Sequence, residues 1–312
     1  PGGKWTLRDI VDYQLVAWES LVRQAALRKS EYLWNFYRIG ERATARTSPF
    51  AWVIPATQRD PGATRKLLET LLFGQVEVER AQAAFEADGI RYPAGSYVIP
   101  MAQPYSSWAK TLLEVQNYPD LRQYPGGPPR RPYDVTAHTL PLLFGVDAAP
   151  VRKTFQAQAE RIVAPVPPVH RTRLPMADTD SWKRVAAAWK QNEPVYLNWR
   201  ESTFYLQSTP GDGRVPTPRI GIYQSWVPSM DERWTPWVLD AFGLEYQTLH
   251  NADILAGALA EGFDAIVLPD SSAAAIREGH GAAEMPAEFT GGLGADGFLR
   301  LDEFVRAGGT AI

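Results

Sequence analysis

The side chains able to do acid–base, nucleophilic or metal chemistry are few and scattered. The chain has four histidines and no cysteine, which removes disulfides, thiolate zinc sites and a cysteine nucleophile together. His138, His170, His250 and His280 were each set against metal-ligand spacings. His250 and Asp253 form an H-x-x-D pair, but Asn251 reads as a helix cap, and Asp253 falls in the first turn, where the helix dipole favours a carboxylate. His280 and Glu284 lie in a Gly/Ala-rich loop with no third partner. His138 precedes Thr-Leu-Pro and reads as packed beside an apolar island. No catalytic residue and no metal ligand is therefore assigned.

The nucleophile and phosphate motifs fare no better. A G-x-S-x-G elbow is absent, and Gly95-Ser96 sits in an expected hairpin without the strand-turn-helix setting such a serine needs. No Walker lysine loop occurs. Thr290-Gly-Gly-Leu-Gly294 precedes a helix, so the backbone N–H groups of Gly291 and Gly292 are candidate contacts for an anion, with a plain flexible loop as the competing reading.

The elements that would position such groups follow from periodicity. Val11, Leu15, Trp18 and Val22, then Leu33, Phe36 and Tyr37, recur at helical spacing between about Thr6 and Gly40, which predicts one or two amphipathic helices with a wide apolar face. Phe50–Ile54 reads as a strand. Asp60 and Pro61 open a helix ending at Gly74, and Gln75–Val78 is the next strand, giving a βαβ unit with parallel pairing. Turn signals at Asp88-Gly89 and Ala94-Gly95 predict a hairpin of Ile90–Tyr92 with Tyr97–Ile99. A helix over 106–116 is expected to pack through Trp108, Leu112, Leu113 and Val115. Proline-rich sequence then fills 118–175 around the island Leu140–Val146. The expected organisation is a helical and α/β domain over 1–148, a proline-rich linker over 149–180, and a second α/β domain over 181–312.

That second domain holds the clearest pattern. After a helix near Ser181–Lys190 and strands at Val195–Asn198 and Phe204–Leu206, a strand at Arg219–Tyr223 leads to a helix opened by a Ser229/Glu232 capping box and stopped at Gly243. A strand at Glu245–Leu249, a helix capped by Asn251, a strand at Ala265–Leu268, a helix through Leu301 and Phe304, and Thr310–Ile312 complete the alternation. It predicts an incomplete doubly wound parallel sheet. Such sheets bind ligands beyond the carboxyl ends of their strands, which singles out Gln224, Ser225, Asp270 and Ser271; for Asp270 the competing role is capping the turn that follows.

With 32 basic and 35 acidic residues the net charge is −3, giving no broad attraction for nucleic acid or anionic lipid. The small basic clusters Arg130-Arg131 and Arg171/Arg173 sit among prolines and read as solvated loops. No stretch approaches the roughly 18–20 apolar residues of a membrane span. The chain opens on Pro1 and closes on Gly308-Gly-Thr-Ala-Ile312, so both ends read as cut from a longer polypeptide.

Several separated strings carry a family resemblance: Pro49-Phe-Ala-Trp-Val-Ile-Pro-Ala56, Gln58-Arg-Asp-Pro61, Leu113-Glu-Val-Gln-Asn-Tyr-Pro119, Tyr124-Pro-Gly-Gly-Pro-Pro129, and Tyr133-Asp-Val-Thr-Ala-His-Thr-Leu-Pro-Leu-Leu143. They resemble the region after the peptidase domain in large bacterial proteins of the zinc carboxypeptidase (carboxypeptidase A-like) family. Met230-Asp-Glu-Arg-Trp-Thr-Pro-Trp237 and Phe263-Asp-Ala-Ile-Val-Leu-Pro-Asp270 look like the opening half of the class I glutamine amidotransferase-like, flavodoxin-like domain that follows in those proteins. The resemblance implies a secreted or periplasmic parent that hydrolyses C-terminal peptide bonds with one Zn²⁺. The family's H-x-x-E motif is missing here, so the implied role is a non-catalytic accessory segment, without a cofactor of its own, packed on an upstream peptidase domain. The alternative is a small-molecule or carbohydrate binding module using the strand-end crevice of the second domain.

Overall fold

The computed structural model describes residues 3–117, 119–130, 138–165, 172–207 and 213–312. His170, Arg131, Arg171, Val166–Pro168, Tyr118 and Tyr133–Ala137 lie outside them. The fold is mixed α/β, and contacts divide the chain into two units, Pro1–Pro168 and Val169–Ile312.

The first unit begins with α1 (Leu7–Leu27) and α2 (Lys29–Thr44). Thr6 opens α1 through a capping box with Asp9. The apolar positions expected to be covered are open: α1 buries no residue and α2 only Ala43. Ala43 is where α2 meets α4 (Ser106–Leu113), and Arg46 fastens the junction by donating to Ser106 Oγ at 3.2 Å and Ser107 Oγ at 3.1 Å.

The remaining strands of this unit are β1 (Ala51–Ile54), β2 (Val78–Ala81), β3 (Phe85–Ala87), β4 (Ile90–Tyr92), β5 (Tyr97–Pro100), β6 (Ala149–Val151) and β7 (Ala159–Ile162), joined by α3 (Pro61–Phe73) and α5 (Leu140–Phe144). The main sheet runs β6-β1-β5-β2-β7. The expected βαβ pairing is corrected here. Strands β1 and β2 both pair antiparallel with β5, so they run parallel to each other but are separated by it. The expected hairpin is also displaced: β4 pairs with β3 across Asp88-Gly89, and Tyr97–Pro100 joins the main sheet instead.

Leu67, Leu68 and Leu71 of α3 pack with Ile54, Val78, Ile99 and Leu113 in one core. Asp60 Oδ1 accepts from the Ala63 N–H at 2.8 Å and Pro61 is the first helical residue, as the sequence indicated. Leu112 and Leu113 are buried, but Trp108 on α4 is exposed, as is Val115, which lies beyond the end of α4 at Leu113. His138 is exposed rather than packed, although Leu140 and Val146 beside it enter the core.

Residues 149–180, read as linker, supply strands to both units. Pro150 lies in β6 and Pro175 in β8 (Arg173–Pro175), each at a sheet edge. Proline cannot donate to a ladder, and an edge is where that loss is tolerated.

The second unit carries two sheets. Strand β8 joins β9 (Val195–Asn198), β10 (Thr203–Tyr205) and β11 (Gly213–Val215) in the antiparallel order β11-β9-β10-β8, covered by α6 (Thr179–Lys190). The second sheet, β13-β12-β14-β15, is wholly parallel: β12 (Ile220–Tyr223), β13 (Tyr246–Leu249), β14 (Ala265–Val267) and β15 (Thr310–Ala311). Its connections are α7 (Met230–Phe242), α8 (Asn251–Ala256), α9 (Leu259–Gly262), α10 (Ala273–Arg277) and α11 (Gly294–Arg306). From β12 the chain moves to one side for β13, then crosses back for β14, so a topological switch lies between β12 and β14. Tyr223, Leu249, Ile254, Ile266, Leu301 and Phe304 form the core beneath.

At the opposite, amino end of this sheet, Asp264 accepts from the Arg219 backbone N–H at 2.8 Å and from its guanidinium at 2.7 Å. These hydrogen bonds, the side-chain one foremost, hold the Asp264 carboxyl below its ordinary range. A depressed folded-state pKa means that the unfolded chain binds more protons, so this pair stabilises the second unit above about pH 3.9 and the contribution is lost as pH falls further. Both side chains are about half exposed, so the effect is modest. In acid titration followed by unfolding midpoint, Asp264→Asn should flatten that part of the profile.

Candidate functional site

The carboxyl ends of β12, β13 and β14 gather most of the residues singled out from sequence. Gln224 continues β12: its N–H donates to the Leu249 carbonyl at 2.8 Å. Its own carbonyl lies 2.9 Å from His250 Nδ1. A carbonyl can only accept, so in this contact the ring nitrogen is the donor. Trp226 stacks on the His250 ring at 4.1 Å and 8°, and Phe289 meets Trp226 edge-on at 4.9 Å. This aromatic stack was not foreseen. The signal available was position: His250 directly follows β13, as Gln224 follows β12.

Ser225 is committed to the backbone. Its Oγ donates to the Ala275 carbonyl at 3.3 Å and accepts from the Val227 N–H at 3.2 Å. A hydroxyl held this way orders a turn, and it also lies beside the Tyr223 phenol. Ser225 and Ser271 do line one crevice, with Tyr223, Ser229, Glu232 and Pro269, at the switch between β12 and β14. The free space is about 10 Å³, room for roughly one water.

Two expected caps are corrected here. Ser229 Oγ accepts from the Asp231 N–H and donates to the Asp270 carbonyl at 2.6 Å, so it makes no box with Glu232, which lines the crevice. The α10 cap is Ser272, whose Oγ accepts from the Ala275 N–H at 3.1 Å; Asp270 is exposed and does not cap it.

Asn251 is likewise the first residue of α8, and His250 is its cap position, with the His250 N–H donating to Asp253 at 2.8 Å. A tertiary bond draws Asn251 inward. Its buried side chain accepts from Tyr223 OH at 2.7 Å and donates to the Gly291 carbonyl at 2.9 Å. Burial of the Tyr223 phenol raises its pKa, so it stays neutral and keeps its proton for Asn251.

Gly291 belongs to the same lock, and Gly292 packs closely on the end of α10. The Gly291 N–H donates to the His280 carbonyl at 2.9 Å, and a Cβ at Gly292 would lie 2.5 Å from the Arg277 carbonyl carbon. No protein-family model, curated protein or solved structure matches the chain.

His280 Nδ1 lies 3.6 Å from Glu284. Among the described residues no three His, Asp or Glu side chains gather closely enough to hold a metal ion. No described helix is long and apolar enough to cross a membrane.

Proposed function

We propose that this chain is a non-catalytic accessory segment of a zinc-carboxypeptidase-like protein, and that α1 and α2 pack against the peptidase domain of the same polypeptide. The observation that carries the reading is the open apolar face of the two helices. Leu15, Trp18 and Val22, one and two turns apart on α1, line a shallow groove and are 60%, 63% and 62% exposed. Tyr32, Leu33, Trp34, Phe36 and Tyr37 add a similar load on α2. A contiguous apolar surface of this kind marks an interaction site. The separated strings from Pro49 to Leu143 support a parent of the carboxypeptidase family, secreted or periplasmic, with its zinc and its water-activating carboxylate in the peptidase domain. The parallel sheet β13-β12-β14-β15 suits the opening half of an amidotransferase-like domain; its chemistry does not follow from its topology.

Zinc content and release of C-terminal residues from peptides, measured on the full-length gene product, test this reading. One zinc per polypeptide with release is the expected result. A full-length protein with neither would overturn it.

A second reading, a small-molecule or carbohydrate binding module, draws on the crevice at the switch between β12 and β14, where Ser225, Ser271 and Glu232 meet. Its size in this conformation favours the accessory role, because a sugar would need the crevice to open.

A further inference from the structure

In the first unit, α3 packs on one face of the main sheet. Over the other face the chain between β6 and β7 crosses the strands, with Phe155 and Ala157 packed on Ala51, Val53 and Val98. The Phe155 ring is fixed by its neighbours: it stacks on Phe85 at 5.3 Å and 12° and meets Phe50 edge-on at 5.5 Å. Between this segment and the strands lies a cavity of about 510 Å³, within the range of small-molecule sites. Phe50, Val98, Pro100 and Phe155 are among its walls, and Glu79 is the one ionisable side chain among the described residues that line it.

Strand register aims Glu79 at this cavity. Residues directly opposite on paired strands present their side chains to the same face. Glu79 stands opposite Val98 of β5, which belongs to the core on this face and lines the same cavity. On its other side Glu79 stands opposite Arg161 of β7, but that guanidinium is held by Glu77 at 3.1 Å. Two carboxylates therefore face one cation, and the cation is committed to the other carboxylate.

Among the described residues Glu79 accepts no hydrogen bond and forms no ion pair. Burial, and after it the charge of Glu77, hold its carboxyl above the ordinary range; the attraction of Arg161 is the smallest of the three influences and does not offset them. The fold thus draws a carboxylate partly out of water without giving it a partner, a cost that a bound cation would remove.

The walls decide which kind of cation. A hard metal ion takes several oxygen ligands, and one carboxylate among aromatic rings does not supply them. An organic cation suits both parts of the site, since its charge pairs with the carboxylate and its apolar body packs on the rings. We infer that this cavity binds a small primary ammonium on an apolar stem, the ammonium donating to the Glu79 carboxylate and the stem lying against Phe50, Val98 and Phe155. The site belongs to the first unit alone and does not depend on the accessory role.

Calorimetric titration of the intact chain with three probes tests it: 2-phenylethylamine, 2-phenylethanol, which keeps the stem without the charge, and ethylamine, which keeps the charge without the ring. 2-Phenylethylamine should bind saturably in the millimolar range expected of so small a ligand, at least about tenfold more tightly than either of the others. Glu79→Gln, which keeps the shape of the side chain and removes its charge, should weaken 2-phenylethylamine by about tenfold. The same variant should leave the unfolding midpoint of the ligand-free chain unchanged or raised, because the fold gives that charge no partner. The inference is overturned if 2-phenylethylamine shows no saturable binding up to about 20 mM, if either other probe binds equally well, if Glu79→Gln binds like the parent chain, or if that variant lowers the midpoint.

Discussion

Gly279→Ala should destabilise the second unit by about 3 kcal/mol or more, the largest effect expected of any single methyl group near the strand ends. Gly279 sits at φ +65°, and a Cβ there would lie 2.0 Å from the Gly291 carbonyl oxygen. That oxygen already accepts from Asn251, so the added carbon must break the lock that joins β12, α8 and the loop before α11. Gly243→Ala is the matched control. It ends α7 at φ +76° with nothing within 4 Å of the added carbon, so only the backbone penalty of about 1 kcal/mol applies. Urea unfolding followed by hydrogen exchange in the second unit separates the two. Equal losses would mean that the Gly279–Gly291 approach is not a real constraint.

Replacing Leu15, Trp18 and Val22 together by glutamine should change the chain's own stability by less than about 1 kcal/mol, because exposed positions contribute little and glutamine keeps the helix propensity. The same triple variant should weaken the proposed docking of α1 onto a peptidase domain by about 100-fold or more, as truncating aromatic and aliphatic anchors does at buried interfaces. The two outcomes belong together. A large loss of stability in the isolated chain would show that the groove side of α1 is covered within the first unit after all.

What the sequence made legible was local. Asp60 and Pro61 at the start of α3, Gly243 at the end of α7 and the run Val195–Asn198 each depend on neighbours a few residues away, and each is where pattern placed it. The alternation from β12 to β15 was likewise readable, since each strand–helix pair carries its own caps and period.

What escaped was long-range. Nothing in residues 50–78 announces that β5 inserts between β1 and β2, because that pairing is set by the whole sheet. The proline-rich stretch over 149–180 looks like linker until the edges it occupies are known. The shift of the cap from Asn251 to His250 has the same origin: a tertiary bond from Tyr223 outweighs a local preference. Of the candidate site, Gln224, Ser225 and Ser271 were legible as strand-end positions. The Trp226–His250–Phe289 stack, drawn from three separate connections, was not. Gly291 and Gly292 were read as candidate anion contacts or a plain loop before a helix, and Gly291 is engaged through both its N–H and its carbonyl.

On the proposed reading the open face of α1 and α2 lies against a peptidase domain in the same polypeptide. Backbone amide hydrogen exchange over residues 7–44, compared between this chain alone and the full-length protein, addresses it most directly. Exchange along α1 should be fast in the isolated chain and slowed by about 100-fold or more in the full-length protein. Exchange along α1 at the same rate in both would contradict it.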